Sequence, residues 1–111
     1  MYKYEAICAR VVDGDTIDCL IDLGFSIHIK QRVRLLDIDA PESRTSDPVE
    51  KVEGLKVKKW LKDRIEGQTV ILHTEYDSRG KFGRVLATIY HEGVNLNQLM
   101  LKEGLADPYG R

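Results

Sequence analysis

The dipeptide Asp13-Gly14 lies between two runs rich in β-branched residues, and it constrains the fold more than any other feature of the chain. Asp-Gly favours a two-residue turn between antiparallel strands, because both residues tolerate the backbone conformation that such a turn needs. We therefore predict a β-hairpin with strands at about residues 4–12 and 16–23. The glycine at position 24 interrupts the second run and is predicted to end that strand.

The hairpin turn also predicts where the two cysteines of the chain lie. If residues 13 and 14 form the turn, Cys8 on the first strand faces Cys19 on the second. Two small, reduced side chains in a half-buried hairpin are the favoured interpretation, since thiols stay reduced in a reducing compartment. A disulfide is the less favoured alternative, and a metal site built from these two cysteines alone is weaker still.

The pattern continues with a strand and then a helix. Residues 25–35 alternate, which predicts a third strand with Phe25, Ile27 and Ile29 facing inward. From residue 49 the apolar period becomes helical and predicts one helix to about residue 66, ended by Gly67. The apolar stripe of this helix is predicted to contain Val52, Leu55, Trp60 and Leu61.

Two further strands are predicted at residues 68–74 and 84–90, followed by a short helix at residues 95–103. The order is therefore three strands, a helix, two strands and a helix. This order predicts a β-rich α+β fold: a five-stranded OB-fold barrel with a helix between strands 3 and 4 and a second helix after strand 5. With 111 residues, the chain is expected to form one such domain over residues 1–111.

Charge and hydropathy exclude some classes of protein. The chain has 17 basic and 18 acidic residues and a formal net charge of -1. A nucleic-acid-binding protein is often basic overall, so any such binding here must use a local patch. No apolar run approaches the ~20 residues of a membrane span, and the first residues lack the layout of a signal peptide. We therefore expect a cytoplasmic protein that does not enter a membrane.

Two aspartates are predicted at the ends of neighbouring strands. Asp15 follows the hairpin turn, and Asp39 follows the apolar third strand. Carboxylate, carbonyl and water oxygens are the ligands that Ca²⁺ prefers, whereas no Cys/His spacing supports zinc. A single aspartate after a turn is most often a capping or solvated residue, so the prediction of a cation site depends on both residues. Asp13 is interpreted as the turn residue and Asp37 as solvated or hydrogen-bonded.

Glu42 directly follows Pro41, whose ring restricts the backbone at this point. A carboxylate beside a cation site can take the proton from an attacking water. The alternative is an ordinary loop glutamate, which would be the preferred interpretation if Glu42 stood alone.

Arg34 and Arg84 are the candidate anion-binding residues. A guanidinium is planar and permanently charged, and it matches the oxygens of a phosphate. Without the neighbouring acids, two surface arginines in salt bridges would be the simpler interpretation. Arg34 and Asp39 are five residues apart, so a regular strand would place them on opposite faces. A bulge or sharp bend near Asp37 is therefore required to bring them to one site.

A loop rich in glycine and basic residues precedes the fifth strand. One short segment of this loop contains Arg79, Lys81 and Arg84, with Phe82 among them. A basic segment with an aromatic residue beside an OB-type sheet suits single-stranded nucleic acid. Tyr109, near the C-terminus, could stack on a base. Both aromatic residues could equally be loop anchors.

We expect the barrel rim to gather three acids, Asp15, Asp39 and Glu42, around a cation-sized gap, with two arginines opposite. Such an arrangement suits phosphodiester hydrolysis, because the acids bind a hard cation and the arginines bind the phosphate.

Four segments resemble the staphylococcal nuclease-like (thermonuclease) family, whose domains have the OB-fold. They are residues 12–16 (VDGDT), 33–42 (VRLLDIDAPE), 81–84 (KFGR) and 97–106, and they occur in the family's order across almost the whole chain. The resemblance implies a Ca²⁺-dependent nuclease that acts on DNA and RNA, breaks the bond to the 5′ oxygen and leaves a 3′ phosphate. It implies that Asp15, Asp39 and the backbone carbonyl of Ala40 bind the metal, although the family often has threonine at position 40.

The same resemblance implies roles for residues that contact the substrate. Glu42 would be the general base or would orient the water, and Arg34 and Arg84 would stabilise the transition state and the leaving group. Lys81 would lie near a nucleotide phosphate, and Tyr109 would border the base pocket. The partner implied is DNA or RNA, with single strands favoured.

Two features depart from the family's pattern. Its best-studied members continue into a third, C-terminal helix, whereas this chain stops at residue 111, so a homo-oligomer that covers the exposed core is an expectation. The near-neutral charge departs from strongly basic secreted members. The alternatives to an enzyme are a non-catalytic module that binds nucleic acid, and a structural OB domain that acts through protein contacts. All five proposed catalytic side chains are nevertheless retained.

Overall fold

The computed structural model describes residues 2–76 and 85–109. The elements run as β1 (Tyr2–Asp13), β2 (Thr16–Asp22), β3 (His28–Leu35), β4 (Ile38–Asp39), α1 (Pro48–Ile65), β5 (Thr69–Tyr76), β6 (Val85–His91), β7 (Val94–Asn95), α2 (Leu96–Lys102) and β8 (Asp107–Pro108). Five strands form the barrel, in the spatial order β3-β2-β1-β5-β6, and a parallel pairing of β3 with β6 closes it. The predicted five-stranded OB-type barrel is therefore confirmed, with α1 between its third and fourth strands and α2 after its fifth.

The β1–β2 hairpin forms as predicted, but its turn lies one residue later. Gly14 and Asp15 make the turn, and Asp13 pairs with Thr16. Two register shifts then occur along the hairpin, before and after the pairs formed by residues 10 and 11. These shifts compensate for the displaced turn, so Cys8 does pair with Cys19, and both are buried free thiols.

The predicted start of the third strand is wrong. Phe25 and Ile27 are 97% and 55% exposed, and Ile29 is 40% exposed. Phe25 and Ser26 have positive φ angles of 53° and 62°, which belong to a turn and not to a strand. The apolar alternation is real, but none of the described residues covers these side chains, and β3 begins only at His28.

Helix α1 has the predicted extent but a different buried face. Asp47 caps its start, because the carboxylate accepts from the backbone N–H groups of Val49 and Glu50, and Pro48 opens the first turn. Gly67, with a φ of 81°, follows the end of the helix. The residues that it buries are Gly54, Val57, Leu61 and Ile65.

Of the predicted stripe of α1, only Leu61 is fully buried. Val52 and Leu55 are 65% and 48% exposed, and Trp60 is partly buried against the core. The prediction placed the larger apolar side chains inside, whereas the helix approaches the loop after β4 through Gly54. This close approach matters for the functional site, because α1 packs against the loop that follows β4.

The core lies inside the barrel and under α1 and α2. Its largest fully buried side chains include Ile17, Leu35, Leu61, Ile89 and Met100. Within the described residues, no helix is long and apolar enough to cross a membrane.

Candidate functional site

A mostly buried arginine connects the ends of β1, β3 and β4. Arg34 has a side chain that is 15% exposed, and its Nη1 donates to the backbone carbonyls of Leu35 and Ile38, at 3.0 Å each. Its Nη2 lies 3.4 Å from Asp15 Oδ2 and 3.2 Å from Asp39 Oδ1. Two carboxylates therefore share one guanidinium nitrogen, which brings Arg34 together with two of the three predicted metal ligands, Asp15 and Asp39.

The bend that this geometry requires occurs where it was predicted. Strand β3 ends at Leu35, and Asp37 has a φ of 64°, in the left-handed region that aspartate tolerates better than most residues. Ile38 and Asp39 then form β4, which pairs with β8. The reversal at Asp37 moves Asp39 from the opposite face of the strand to the side on which Arg34 lies.

Asp15 is held in place by hydrogen bonds. It is 7% exposed, and its Oδ2 accepts from Ala40 N at 2.9 Å while its Oδ1 accepts from Thr16 Oγ1 at 3.0 Å. Its backbone carbonyl accepts from Leu35 N at 2.8 Å. The β1–β2 turn, the end of β3 and the loop after β4 therefore meet at Asp15, next to the predicted metal ligand Ala40.

Asp13 has a contact that the sequence did not predict. Instead of acting only as a turn residue, its Oδ1 accepts from Ser43 N at 3.2 Å and also from Ser43 Oγ. Ser43 is 2% exposed. Nothing in the sequence distinguishes this serine from the other hydroxyl residues of the same polar loop, so no local signal could have identified it.

Glu42 lies on the loop beside this cluster but does not join it. The residue is exposed, and its carboxylate has no hydrogen bond or ion pair among the described residues. Within that part of the chain, no group of three or more His, Cys, Asp and Glu side chains could hold a metal ion. The two aspartates lie close together through Arg34, whereas Glu42 does not complete a group of three acids with them among the described residues, and the role of each acid stays a prediction.

The donor set still fits a calcium ion. The carboxylates of Asp15 and Asp39 both contact the same Arg34 nitrogen. Oxygen ligands around one Ca²⁺ lie about 2.3–2.6 Å from the ion and leave room for waters and a backbone carbonyl. The two carboxylates and Ala40 therefore provide hard oxygen donors of the right kind.

Tyr109 adds an aromatic face to the site. Its ring centroid lies 5.0 Å from the Cζ of Arg34, and its backbone N–H donates to the carbonyl of Asp37 at 2.9 Å. Strand β8 places it there by pairing with β4. The predicted residues Arg84 and Lys81, with Arg79 and Phe82, lie outside the described residues.

A shallow cleft adjoins Asp39 and Ala40. Its volume is about 330 Å³, and its walls include Glu50 and Glu53 of α1 and residues 104–107. Asp39 lines the cleft with a side chain that is 58% exposed, so a ligand can reach its carboxylate from solvent.

Comparison with known proteins identifies the family. A profile of the staphylococcal nuclease homologue family matches residues 32–110, from the second half of β3 to beyond β8. An uncharacterized endonuclease of Escherichia coli is 32% identical over 117 aligned residues, which cover 98% of this chain and 68% of that protein. Thermonuclease of Staphylococcus intermedius is 35% identical over 98 residues, which cover 87% of this chain and 55% of that protein.

A further relative is an uncharacterized protein of Bacillus anthracis, 35% identical over 86% of this chain and 42% of its own length. The chain thus spans between 42% and 68% of the length of these three relatives. Because the family profile covers most of the chain, the chain belongs to the staphylococcal nuclease homologue family.

Proposed function

We propose that this chain is a nuclease that hydrolyses the phosphodiester bonds of DNA and RNA. The observation that carries the proposal is the contact of one mostly buried guanidinium, that of Arg34, with Asp15 and Asp39. The arrangement places two acids, which suit a hard cation, beside an arginine, which suits a phosphate. Membership of the staphylococcal nuclease homologue family supports the same reaction.

Ca²⁺ is the proposed cofactor, and Asp15, Asp39 and the backbone carbonyl of Ala40 are the residues that would hold it. When bound, the cation would supply positive charge beside the scissile phosphate. Asp15 is suited to this role because its hydrogen bonds to Thr16 and Ala40 fix the carboxylate before any ligand arrives.

Glu42 is the proposed general base. Its carboxylate has no partner among the described residues, so it is available to accept a proton from a water molecule. The water oxygen bonds to phosphorus, its proton passes to Glu42, and the bond from phosphorus to the 5′ oxygen breaks. The departing 5′ oxygen takes a proton from solvent, and the products carry a 3′ phosphate and a 5′ hydroxyl.

Arg34 and Arg84 are the proposed donors to the phosphate oxygens. Charge grows on these oxygens as phosphorus becomes five-coordinate, and each fixed donor can be worth ~3 kcal/mol of barrier. Arg34 is fixed by its bonds to two backbone carbonyls, which hold the guanidinium plane. Lys81 is proposed to contact a nucleotide phosphate. Tyr109 is proposed to stack on a base, which favours single strands because their bases are free to leave the stack.

The decisive experiment is a cleavage assay on an end-labelled single-stranded oligonucleotide, with and without Ca²⁺, followed by analysis of the new ends. We expect cleavage with Ca²⁺, no cleavage with a chelator, and fragments with 3′ phosphates. Absence of cleavage across divalent metals and pH values would refute the proposal that the chain is a nuclease. Binding of the uncleaved oligonucleotide in that case would support the non-catalytic module.

Glu42→Gln tests the base in the same assay. We expect it to lower turnover by at least about 100-fold, because an amide cannot accept the proton and a positioned base contributes about 10²–10⁴-fold. Glu5→Gln, an exposed glutamate on β1, is the matched control and should keep the full rate. Equal rates for the two variants would remove Glu42 from the mechanism. A homo-oligomer and a cytoplasmic location stay predictions from the sequence.

A further inference from the structure

The loop that carries Glu42 is attached to the barrel through the next residue. Ser43 is 2% exposed, and both its backbone N–H and its hydroxyl donate to Asp13 Oδ1. Asp13 is the last residue of β1, directly before the turn that contains Asp15. One carboxylate oxygen therefore fixes the loop to the same turn that supplies a proposed metal ligand.

Helix α1 holds the loop from the other side. A Cβ atom on Gly54 would overlap the carbonyl oxygen of Glu42 and would lie 2.6 Å from Ser43 N. Real Cβ atoms do not approach backbone so closely, so only glycine allows this contact. Gly54 is buried although it lies inside a helix, where glycine is unfavourable by roughly 1 kcal/mol relative to alanine.

The side chain of Glu42 has no such support. Its carboxylate makes no hydrogen bond or ion pair with another described residue, so its position relative to Asp15 depends on the backbone of residues 42 and 43. Asp13 and Gly54 both contact this backbone. A carboxylate that must meet one water beside one phosphate gains from such a fixed backbone, since a displacement of about 1 Å can cost a factor of 10² in rate.

We propose that Asp13, Ser43 and Gly54 are positioning residues that set the location of the Glu42 carboxylate for proton transfer. Asp13 is then neither a plain turn residue nor a metal ligand: it fixes the distance between the base loop and the turn that holds Asp15. The proposal rests on the proposed nuclease function, in which Glu42 is the base.

The test is a double-mutant cycle between Ser43→Ala and Glu42→Gln, measured as kcat on a single-stranded oligonucleotide with saturating Ca²⁺. We expect Ser43→Ala to lower kcat by about 10–100-fold in the wild-type background. In the Glu42→Gln background the same substitution should lower kcat by less than about twofold, because the group that it positions is already removed. A purely structural role for Ser43 predicts the same fold-change in both backgrounds, and that result would overturn the proposal.

Two further variants separate positioning from a general loss of structure. Asp13→Asn retains an oxygen acceptor at Oδ1 and should keep kcat within about threefold, whereas Asp13→Ala should match Ser43→Ala. Ser46→Ala, in an exposed position of the same loop, is the matched control and should change nothing. Circular dichroism melts and a Ca²⁺ titration monitored by tryptophan fluorescence verify that each variant is folded and binds the metal at the assay temperature.

These experiments distinguish a failure of the positioning proposal from a failure of the proposed nuclease function. If the wild-type chain does not cleave, the proposed function fails and the positioning proposal fails with it. If the wild type cleaves and Glu42→Gln does not, but Ser43→Ala and Asp13→Ala both retain the full kcat, only the positioning proposal is overturned. Equal kcat values for Asp13→Asn and Asp13→Ala, both low, would also contradict it, because they would show that charge and not the hydrogen bond matters.

Discussion

Replacing Asn97 by alanine should destabilise the barrel at the seam between β3 and β6. Asn97 is 5% exposed on α2, its Oδ1 accepts from Ile89 N at 3.0 Å, and its Nδ2 donates to the carbonyls of Leu36 and Ala87 at 3.0 and 3.1 Å. The parallel pairing of β3 with β6 ends at Leu35 and Ala87. Beyond this point the Asn97 amide supplies hydrogen bonds to the backbone of the two strands' ends that the strands no longer make with each other.

The magnitude follows from the groups that lose their partners. The carbonyl of Ala87 also accepts from Leu36 N at 2.9 Å, so it keeps one hydrogen bond in the variant. The N–H of Ile89 and the carbonyl of Leu36 would be left unpaired, and both residues are buried. An unpaired buried polar group costs about 1–3 kcal/mol, so the loss of partners for two groups should cost about 2–6 kcal/mol. This is a large part of the roughly 5–15 kcal/mol that stabilises an ordinary domain.

Urea unfolding followed by circular dichroism measures this loss directly. With a urea slope of about 1–3 kcal/mol per M, the midpoint should fall by about 2 M. Asn95→Ala is the matched control on the same helix, because Asn95 caps α2 through one bond to Gln98 N and its loss should cost about 1 kcal/mol. If Asn97→Ala is no more destabilising than Asn95→Ala, the seam does not depend on the amide and the reasoning is wrong.

Three further predictions concern stability at high pH, stability at low pH, and the packing of α1 against the loop after β4. Burial raises the pKa of Cys8 to about 11 and that of Cys19 to about 12, so the stabilisation from the protonated thiols is complete below about pH 9 and is lost as the pH rises further. A thiol reagent at pH 8 should therefore react only when urea unfolds the chain, and fast labelling of the native protein would contradict this. The hydrogen bond from Arg32 lowers the pKa of Asp18 from its ordinary value of 3.8, so the stabilisation from this pair is present above about pH 4 and is lost as the pH falls below it. Between pH 6 and pH 2 the melting temperature should therefore fall less steeply for Asp18→Asn than for the wild type. Parallel curves would show that the pair of Asp18 and Arg32 does not contribute to stability. Gly54→Ala should cost about 1–3 kcal/mol in the free energy of unfolding by urea, because the new methyl group overlaps the loop after β4, and an unchanged midpoint would show that the loop yields freely.

The parts of the fold that the sequence predicted correctly depend on local chemistry. The Asp-Gly pair marked the hairpin and Gly67 closed α1, each through a backbone conformation that involves only near neighbours. The bend at Asp37 was predicted from spacing, because Arg34 and Asp39 could share a site only if the strand reversed between them. The observed φ of 64° at Asp37 is the local event that this requires.

The misplaced apolar faces have a different cause. Phe25, Ile27, Val52 and Leu55 follow the periods of a strand and of a helix, yet they are exposed because nothing described in the structure lies over them. A periodic pattern identifies the element, whereas its orientation depends on which side the rest of the chain approaches. For α1 that side was decided by the small residue at position 54, and a prediction that ranks side chains by apolar size passes over a glycine.

The contact between Asp13 and Ser43 shows why the sequence predicts the reactive groups better than their support. Asp15, Asp39 and Glu42 are recognisable because their chemistry limits the residue types that can replace them. Ser43 and Ser46 lie three residues apart in one polar loop, and the sequence offers no reason to prefer either, but only Ser43 is buried against a carboxylate that is 30 residues away in the chain. A hydroxyl acquires its role here from the closure of the barrel and the approach of α1, which are properties of the whole fold. Positioning residues of this kind should therefore be sought first among small polar side chains that become buried within two residues of a predicted catalytic group.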